Sequence, residues 1–158
     1  MKGKAIKFGD NIDTDQIIPA QHLSMLKIDD MAEHTFEYDT NFTENFTKGD
    51  ICVAGKNFGC GSSREQAPAV LIKRGVKAVI AKDFARIFYR NSINLGMPLI
   101  ECEYTDEISN LDEIEIDFMN WIITDVTTKK TYTIKPYSDF VQKVLNAGGI
   151  VNYKRSNQ

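Results

Sequence analysis

The chain contains 158 residues, of which 42% are hydrophobic and 26% are charged. This composition is typical of a globular protein, and the length predicts a single domain over residues 1–158. Lys and Arg total 19 against 22 Asp and Glu, and the net charge of −3 excludes a generally basic nucleic-acid-binding protein. No run of 18 apolar residues occurs, so we expect no membrane-spanning helix.

The chain has three cysteines, Cys52, Cys60 and Cys102, with no Cys-x-x-Cys pair among them. This spacing excludes a zinc ribbon and a complete set of iron–sulfur ligands within the chain, so we expect it to bind no metal. An odd, unclustered set also favours reduced thiols and a cytoplasmic location. The charged N-terminus lacks the apolar stretch of a signal peptide.

The N-terminal third contains few regular patterns. Residues 3–8 are predicted to form a short strand, whereas residues 9–28 are rich in Asn, Asp and Pro and are expected to be a loop. The polar, acidic stretch 29–48 predicts one short helix near residues 30–36.

The middle of the chain alternates between apolar runs and helical patterns. Short apolar runs predict strands at 51–55, 76–81 and 98–102. The intervening stretches 64–74 and 83–95 have helical periodicity, and each is followed by a glycine. Alternation of this kind favours parallel strands joined by right-handed crossover helices.

The C-terminal third has the pattern of antiparallel strands. Residues 113–118 alternate strictly between charged and apolar side chains, and β-branched runs follow at 121–126 and 131–135. A helix is predicted at 138–147, with Ser138 as its N-cap. The predicted fold is therefore α/β, with a mixed sheet that has a parallel strand–helix–strand centre and an added antiparallel section.

Positive charge is concentrated between residues 56 and 90, where eight Lys and Arg exceed two acids, whereas residues 103–125 hold eight acids and no Lys or Arg. Solvated helix faces account for many such charges. The alternative is a local anion site around Arg64, with Arg86 and Arg90 as further candidates. We expect a small acidic ligand rather than a nucleic acid, because aromatic residues are not interleaved with the basic ones.

The most informative stretch is the turn Asn57–Glu65, with the sequence Asn-Phe-Gly-Cys-Gly-Ser-Ser-Arg-Glu. It follows a predicted strand and opens a predicted helix, so its glycines and the helix start together predict a backbone cradle for an anion. Arg64 would add a bidentate clamp for a carboxylate or phosphate. The turn matches neither the dinucleotide fingerprint, nor the P-loop, nor the nucleophile elbow.

A purely structural role for the turn is also open. Ser62 and Ser63 each have a Glu or Gln three residues later, the spacing of a capping box, so one serine is expected to cap the helix. Pro68 fits only the first helical turn, which delays the start of the helix or kinks it.

The chemistry of the turn leaves two nucleophiles or bases open. A serine acting as a base needs positive charge and hydrogen-bond donors around its oxygen. No triad is evident, because the histidines are only His22 and His34, both expected to be surface or loop residues. Cys60, beside the helix start, is the alternative nucleophile, whereas the other two cysteines lie in predicted strands and are expected in the core.

Three stretches in fixed order resemble the aconitase superfamily: Asp10–Pro19, Gly59–Glu65 and Lys82–Asn91. The resemblance extends from about Gly3 to Tyr153 and is to the free-standing small subunits of that superfamily. It implies a swivelling β/β/α domain that closes over a large catalytic subunit, in a heterodimer or heterotetramer. In such an assembly the large subunit carries a 4Fe-4S cluster, and this chain itself binds no cofactor.

The resemblance also implies an activity, that of a hydro-lyase which moves a hydroxyl group to the neighbouring carbon by dehydration and rehydration. The implied reaction is the isomerisation of 3-isopropylmalate and 2-isopropylmalate in leucine biosynthesis. Ser62 would be the base that removes the carbon-bound proton. Ser63 and Arg64 would bind a carboxylate of the small polycarboxylate substrate, with Asp15 and Thr14 beside them.

Residues 19–28 depart from the family pattern, which often has Pro-Ala-Arg followed by Tyr or Phe and Leu; here the run is Pro-Ala-Gln-His-Leu-Ser-Met-Leu-Lys-Ile. The apolar content favours a substrate with an alkyl branch. Dimethylmalate, citramalate (methylmalate) and, through Lys27, homoaconitate stay open as substrates, as does a non-enzymatic anion-binding module. Packing on the partner subunit is the alternative role of this loop. The candidate specificity residues are Gln21, His22, Leu23, Ser24, Met25 and Leu26.

Overall fold

The computed structural model describes all 158 residues, which form one mixed sheet with helices packed on it. The seven strands are β1 (Lys2–Lys7), β2 (Ile51–Val53), β3 (Val79–Ala81), β4 (Leu99–Glu101), β5 (Glu113–Asp117), β6 (Ile122–Asp125) and β7 (Lys130–Thr133). The seven α-helices are α1 (Thr14–Ile17), α2 (Ile28–Ala32), α3 (Thr40–Asn45), α4 (Gln66–Arg74), α5 (Arg86–Asn94), α6 (Asp139–Asn146) and α7 (Ile150–Ser156), and short 3-10 helices lie at Ala20–His22 and Thr105–Glu107.

The sheet has the order β4-β3-β2-β1-β5-β6-β7, and its first half is parallel. β1 pairs with β2, β2 with β3 and β3 with β4, all in parallel, and α4 and α5 form the last two crossovers. Every residue of β2 and β3 is buried, as expected for parallel strands covered on both faces. The predicted parallel strand–helix–strand centre is therefore confirmed.

The second half of the sheet is antiparallel and begins at β1, which pairs with β5 on its other edge. β5, β6 and β7 follow as two hairpins. In β5 the residues Ile114 and Ile116 are buried and alternate with more exposed acids, which is the half-buried strand that the sequence predicts. The predicted antiparallel section and the α/β class are both confirmed.

Two apolar clusters occupy the two faces of the sheet. Neighbouring residues of one strand enter different clusters: Cys52 packs with Leu71 and Phe88 in the larger one, and Val53 packs with Ile123 in the smaller one. This division follows from the alternation of side chains along a strand.

Several helix boundaries differ from the predicted ones. α5 begins at Arg86 rather than near Asp83, because the Asp83 carboxylate accepts a hydrogen bond from the Asn57 N–H (2.6 Å) instead of capping the helix. The sequence pattern does not predict α3, in which Phe42 is the one buried residue, or α7, which has none. A helix that buries so little has no apolar periodicity to reveal it. No helix in the structure combines the length and apolarity that a bilayer crossing requires.

The topology brings three chain segments to one edge of the sheet. β1, β2 and β3 are parallel neighbours, so their carboxyl ends lie side by side. The segments that follow them include Asp13–Asp15, the turn at 55–63 and the start of α5. Two isolated bridges, between Asp13 and Cys60 and between Phe58 and Phe84, join these segments. The candidate site lies where they meet, which is the usual place for a ligand in an open α/β sheet.

Candidate functional site

Two glycines shape the turn between β2 and α4. Gly59 and Gly61 have φ values of +83° and +92°, a backbone conformation that residues with a Cβ rarely adopt. A Cβ on Gly59 would lie 2.2 Å from the ring of Phe88, and one on Gly61 would lie 2.6 Å from the Asp13 carboxylate. The turn is therefore pressed against both neighbouring segments, and only glycine fits at these two positions.

Ser62 and Ser63 follow these glycines, and both are exposed. The prediction that one of them caps α4 is wrong, because the helix begins at Gln66 and the residue before it, Glu65, makes no side-chain capping bond. Pro68 explains the later start, since proline is tolerated only in the first turn and here occupies its third position. Neither serine hydroxyl has a hydrogen-bond partner within the protein, so both are available to a ligand.

Thr14 makes two hydrogen bonds to the turn. Its side chain is buried, and its hydroxyl donates to the Ser62 carbonyl oxygen (2.9 Å), while its backbone N–H donates to the Cys60 carbonyl oxygen (2.8 Å). The hydroxyl of Thr14 therefore fixes the backbone of Ser62. The predicted substrate contact by Thr14 stays a prediction.

Arg64 is held by two groups that precede it in the chain. One of its terminal nitrogens donates to Asp15 Oδ1 and to the Ile18 carbonyl oxygen, each at 3.1 Å. The backbone N–H of Ala20 donates to the same carboxylate oxygen (3.0 Å). The hydrogen bonds from Arg64 and Ala20 hold the pKa of Asp15 below its ordinary value. Asp15 thus orients Arg64, and a direct contact of Asp15 with substrate stays a prediction.

Thr14, the two serines and Arg64 border a cleft of about 210 Å³, whereas Asp15 does not line it. Its opposite wall is the first turn of α5, a part of the chain 22 or more residues beyond Arg64 in sequence. The cleft is lined by Thr14, Gly59, Gly61, Ser62, Ser63, Arg64, Ala85, Arg86, Ile87, Phe88 and Asn91.

The helix start that faces the cleft is that of α5, not that of α4 as the sequence analysis expected. Ala85 is the N-cap and has no side chain able to accept a hydrogen bond. The N–H groups of Arg86, Ile87 and Phe88 consequently have no acceptor within the protein. Together with the positive end of the helix dipole, they give this wall of the cleft an affinity for anions.

The concentration of positive charge between residues 56 and 90 is largely neutralised in the fold. Four of its eight cations pair with acids from other segments, as Arg64–Asp15, Lys73–Asp29, Arg74–Glu33 and Lys82–Asp106. Arg86 borders the cleft and has no ion pair, whereas Arg90 lies outside the cleft. The fold therefore brings Arg64 and Arg86, two residues of the predicted anion site, to one cleft, whereas the third candidate, Arg90, does not line it.

Asn91 borders the cleft but was not among the predicted site residues. The signal that could have found it is its position one helical turn after Ile87, within the stretch Lys82–Asn91 that carries the family resemblance.

The candidate specificity residues 21–26 do not line this cleft. Leu23 and Met25 pack partly against the larger apolar cluster, whereas Leu26 is fully exposed. His22 contacts Glu37, and Gln21 donates to the Tyr38 hydroxyl (3.1 Å). Ser24 is exposed. Their role in specificity stays a prediction.

The thiols show no sign of nucleophilic activation. Burial and the nearby Asp13 carboxylate raise the pKa of Cys60, which opposes thiolate formation. Cys52 and Cys102 are buried in or beside strands, as expected, and burial raises the pKa of both thiols.

Comparison with known proteins gives consistent matches. The Aconitase C-terminal domain family matches residues 10–105. The chain is 48% identical over 158 residues to a 3-isopropylmalate dehydratase small subunit of Ruminiclostridium cellulolyticum, covering 99% of this chain and 97% of that protein. It is 51% identical over 154 residues to the corresponding subunit of Caldicellulosiruptor bescii, covering 96% and 93%.

A crystal structure of 3-isopropylmalate dehydratase from Methanocaldococcus jannaschii matches the fold with a TM-score of 0.93 at 46% identity, covering 99% of this chain and 93% of that one. The similarity therefore includes the whole sheet as well as the turn and the cleft. The chain belongs to the 3-isopropylmalate dehydratase small-subunit family, a group with the aconitase C-terminal domain fold.

Proposed function

We propose that this chain is the small subunit of a hydro-lyase that isomerises 3-isopropylmalate and 2-isopropylmalate in leucine biosynthesis. The observation that carries the proposal is the cleft itself, which is lined both by Ser62, whose hydroxyl has no partner within the protein, and by the uncapped N-terminus of α5. The relatives named above support the substrate.

In this proposal Ser62 is the base. Its oxygen takes the proton from the substrate carbon next to the one that bears the hydroxyl, and the electron pair of that C–H bond forms a carbon–carbon double bond as hydroxide leaves. The proton and the hydroxide together make up one water, and the reverse steps add them back with the two positions exchanged. A serine oxygen needs nearby donors and positive charge to act in this way. The turn backbone, Arg64 and the α5 N–H groups border the same cleft and provide both.

Two groups are positioned to hold the substrate carboxylates. Arg64 has guanidinium nitrogens that are not bound to Asp15 or Ile18, and Ser63 lies next to it on the cleft wall. Arg86 and the start of α5 provide a second positive region opposite them. Two facing positive regions suit a dicarboxylate better than a singly charged ligand.

The three thiols of the chain do not fit a cluster-binding set, since they lie in β2, in the turn and just after β4 and their pKa values are all raised. We therefore assign the 4Fe-4S cluster to a large catalytic subunit, with which this chain would form a heterodimer or heterotetramer in the cytoplasm. The whole chain would act as one swivelling domain that closes the cleft over the substrate.

The decisive experiment uses the chain assembled with its cognate large subunit. We expect Ser62→Ala to lower kcat by about 10²- to 10⁴-fold, the usual contribution of a general base, while the visible absorbance of the cluster is unchanged. Ser156→Ala, on the remote helix α7, is the matched control and should leave kcat unchanged. Near-wild-type turnover of the Ser62 variant with an intact cluster would contradict the assignment.

A substrate panel tests the alkyl preference. We expect 3-isopropylmalate to give the highest kcat/KM, followed by dimethylmalate and citramalate, because a missing or added methyl group changes binding only modestly. We expect homoaconitate to be the poorest substrate. A non-enzymatic anion-binding module would instead show no turnover of any of them and would bind nucleotides or dicarboxylates tightly without the large subunit.

A further inference from the structure

Residues 19–27 form a partly exposed segment that starts beside Arg64, a residue of the cleft wall. Its first residues are tied to the substrate-binding side, because Ala20 donates to the Asp15 oxygen that also binds Arg64, and Arg64 donates to the Ile18 carbonyl oxygen. Beyond Ala20 the segment has three short-range backbone hydrogen bonds of its own, and Leu26 is fully exposed. Its far end must therefore be held by side chains.

Leu23 and Met25 provide part of that hold by packing against the larger apolar cluster, and a cluster of three other side chains adds a polar contact. Glu37 accepts a hydrogen bond from His22 Nε2 (2.6 Å) through one carboxylate oxygen and from His34 Nδ1 (2.7 Å) through the other. The two imidazole rings stack, with centroids 3.6 Å apart and planes 11° from parallel. His22 belongs to the exposed segment, yet its side chain is only 13% exposed. We call these three residues the His–Glu–His clamp.

The clamp does not have the geometry of a metal site. An imidazole lone pair lies in the plane of its ring, so two imidazoles that share one ion need ring planes that meet at the ion. Nearly parallel planes 3.6 Å apart meet only far from both rings. The arrangement instead fits one ionised carboxylate that accepts from two imidazole N–H groups.

The charge state of Glu37 agrees with this arrangement. Burial raises the pKa of its carboxyl, but the hydrogen bonds from His34 and His22 outweigh burial and hold that pKa below its ordinary value. Glu37 is thus ionised at neutral pH, and each of its two carboxylate oxygens accepts from one ring. The clamp needs no additional ion or ligand to be satisfied.

We propose that the His–Glu–His clamp positions the segment 19–27 for substrate binding, with Glu37 as the positioning residue that joins this segment to the following helix–turn region. The inference rests on the proposed function for its kinetic effect. Ser62 is held separately, by Thr14, so loss of the clamp leaves the base in place. A released segment must be ordered again each time substrate binds, and this entropic cost raises KM rather than lowering kcat.

The test uses Glu37→Ala in the complex with the large subunit. We expect KM for 3-isopropylmalate to rise by about tenfold, with kcat within about twofold of wild type. Amide hydrogen exchange of residues 21–26 should quicken by about the same factor. The matched control is Glu44→Ala on α3, an exposed glutamate with no ion pair, which should change neither quantity.

A second variant keeps the proposal testable if Glu37→Ala folds poorly. His22→Phe retains a ring to stack on His34 but removes the hydrogen bond to Glu37, and the same rise in KM and in exchange is expected. Unchanged exchange of residues 21–26 in both variants would overturn the clamp, and so would a fall in kcat at unchanged KM. If the wild-type complex lacks hydro-lyase activity, the proposed function fails, whereas the exchange measurement still decides whether the clamp holds the segment.

Discussion

The parallel and antiparallel halves of the sheet differ in where their polar groups without protein partners lie. In the parallel half the serine hydroxyls and the first N–H groups of α5 border the cleft, while Arg74 Nε and Ser92 Oγ are buried on α4 and α5. The corresponding groups of the antiparallel half and of the 3-10 helix before it are buried: Asp125 Oδ2, the Tyr132 hydroxyl and the Thr105 hydroxyl have no hydrogen-bond partner.

This difference distinguishes a ligand-binding site from a feature that lowers the stability of the fold. A polar atom without a partner at an exposed cleft is hydrated when the cleft is empty and can exchange that water for a ligand. The same atom in the core is a destabilising feature unless a proton or a water satisfies it. The parallel half opens at its strand ends, whereas the hairpins of the antiparallel half bring each strand directly back. The candidate site therefore lies at the carboxyl ends of the parallel strands.

Gly59 lies where the turn between β2 and α4 packs closely against α5. Gly59→Ala should destabilise the chain by roughly 2–5 kcal/mol, since it combines left-handed strain with an overlap with Phe88. Urea unfolding would measure the change. Gly9→Ala is the control, because a Cβ there meets no atom within 4 Å, and it should change stability by less than about 0.5 kcal/mol. Equal effects of the two substitutions would show that the contact with Phe88 is unimportant.

The second substitution addresses the ligand side of the cleft. Arg64→Lys should lower kcat/KM by about tenfold to a hundredfold, because lysine cannot bond Asp15 and Ile18 while also presenting a planar fork to a carboxylate. Steady-state kinetics with the large subunit measures the loss. Arg90→Lys, on α5 but outside the cleft, should have kcat/KM within about twofold of wild type. Near-wild-type kcat/KM in Arg64→Lys would mean that the charge at this position, not the geometry of the guanidinium, matters.

Asp112 and Asp125 are two buried carboxyl groups in the antiparallel half. Burial raises the pKa of Asp112, and the adjacent Asp125 raises it further. Because the folded pKa lies above the unfolded one, the protonated carboxyl favours the native state at low pH, and this stabilisation is lost as the pH rises through the folded pKa. The contribution of Asp112 to the stability of the wild type should therefore fall across that range.

Asp112→Asn should remove this pH dependence and raise stability at pH 7 by about 1 kcal/mol, the value of one hydrogen bond. The amide oxygen can still accept from the Ser109 N–H, and its NH₂ group can donate to Asp125. Thermal unfolding from pH 4 to pH 8 measures both effects, with the exposed Glu113→Gln as control. A loss of stability at pH 7 would contradict the destabilising effect of the buried Asp112 carboxylate beside Asp125.

The smallest expected effect is that of Cys60→Ser. Since burial and Asp13 raise the pKa of this thiol, we expect kcat and KM to stay within about twofold of wild type. Assay of the assembled enzyme before and after treatment with a thiol reagent would check the result. A complete loss of turnover would revive the thiol nucleophile as an alternative to Ser62.

The sequence predicted those features that depend on neighbouring residues. The strand–helix alternation from 51 to 102 is visible in local periodicity, Gly75 ends α4 in the left-handed conformation, and Ser138 caps α6 through the Val141 N–H. The predicted capping by Ser62 or Ser63 failed because spacing alone does not determine where a helix begins. Pro68 determined that here.

What could not be predicted depends on contacts between distant segments. Nothing in the spacing of the chain indicates that the start of α5, rather than that of α4, faces the serines. The stacking of His22 on His34 and their shared bond to Glu37 likewise require the exposed segment to fold back on the residues after α2. Such contacts are set by the sheet order and by tertiary packing, which local propensity does not encode.

The alanine at the N-cap of α5 has a consequence for protein engineering. A Ser or Asp at position 85 would ordinarily be worth about 1 kcal/mol, so a stability-guided design would select it. Its side-chain oxygen would occupy the very N–H groups that border the cleft and would compete with an incoming carboxylate. The start of α5 thus lacks the side-chain cap that most helices have. A variant made more thermostable by a cap at position 85 would block its own ligand-binding N–H groups.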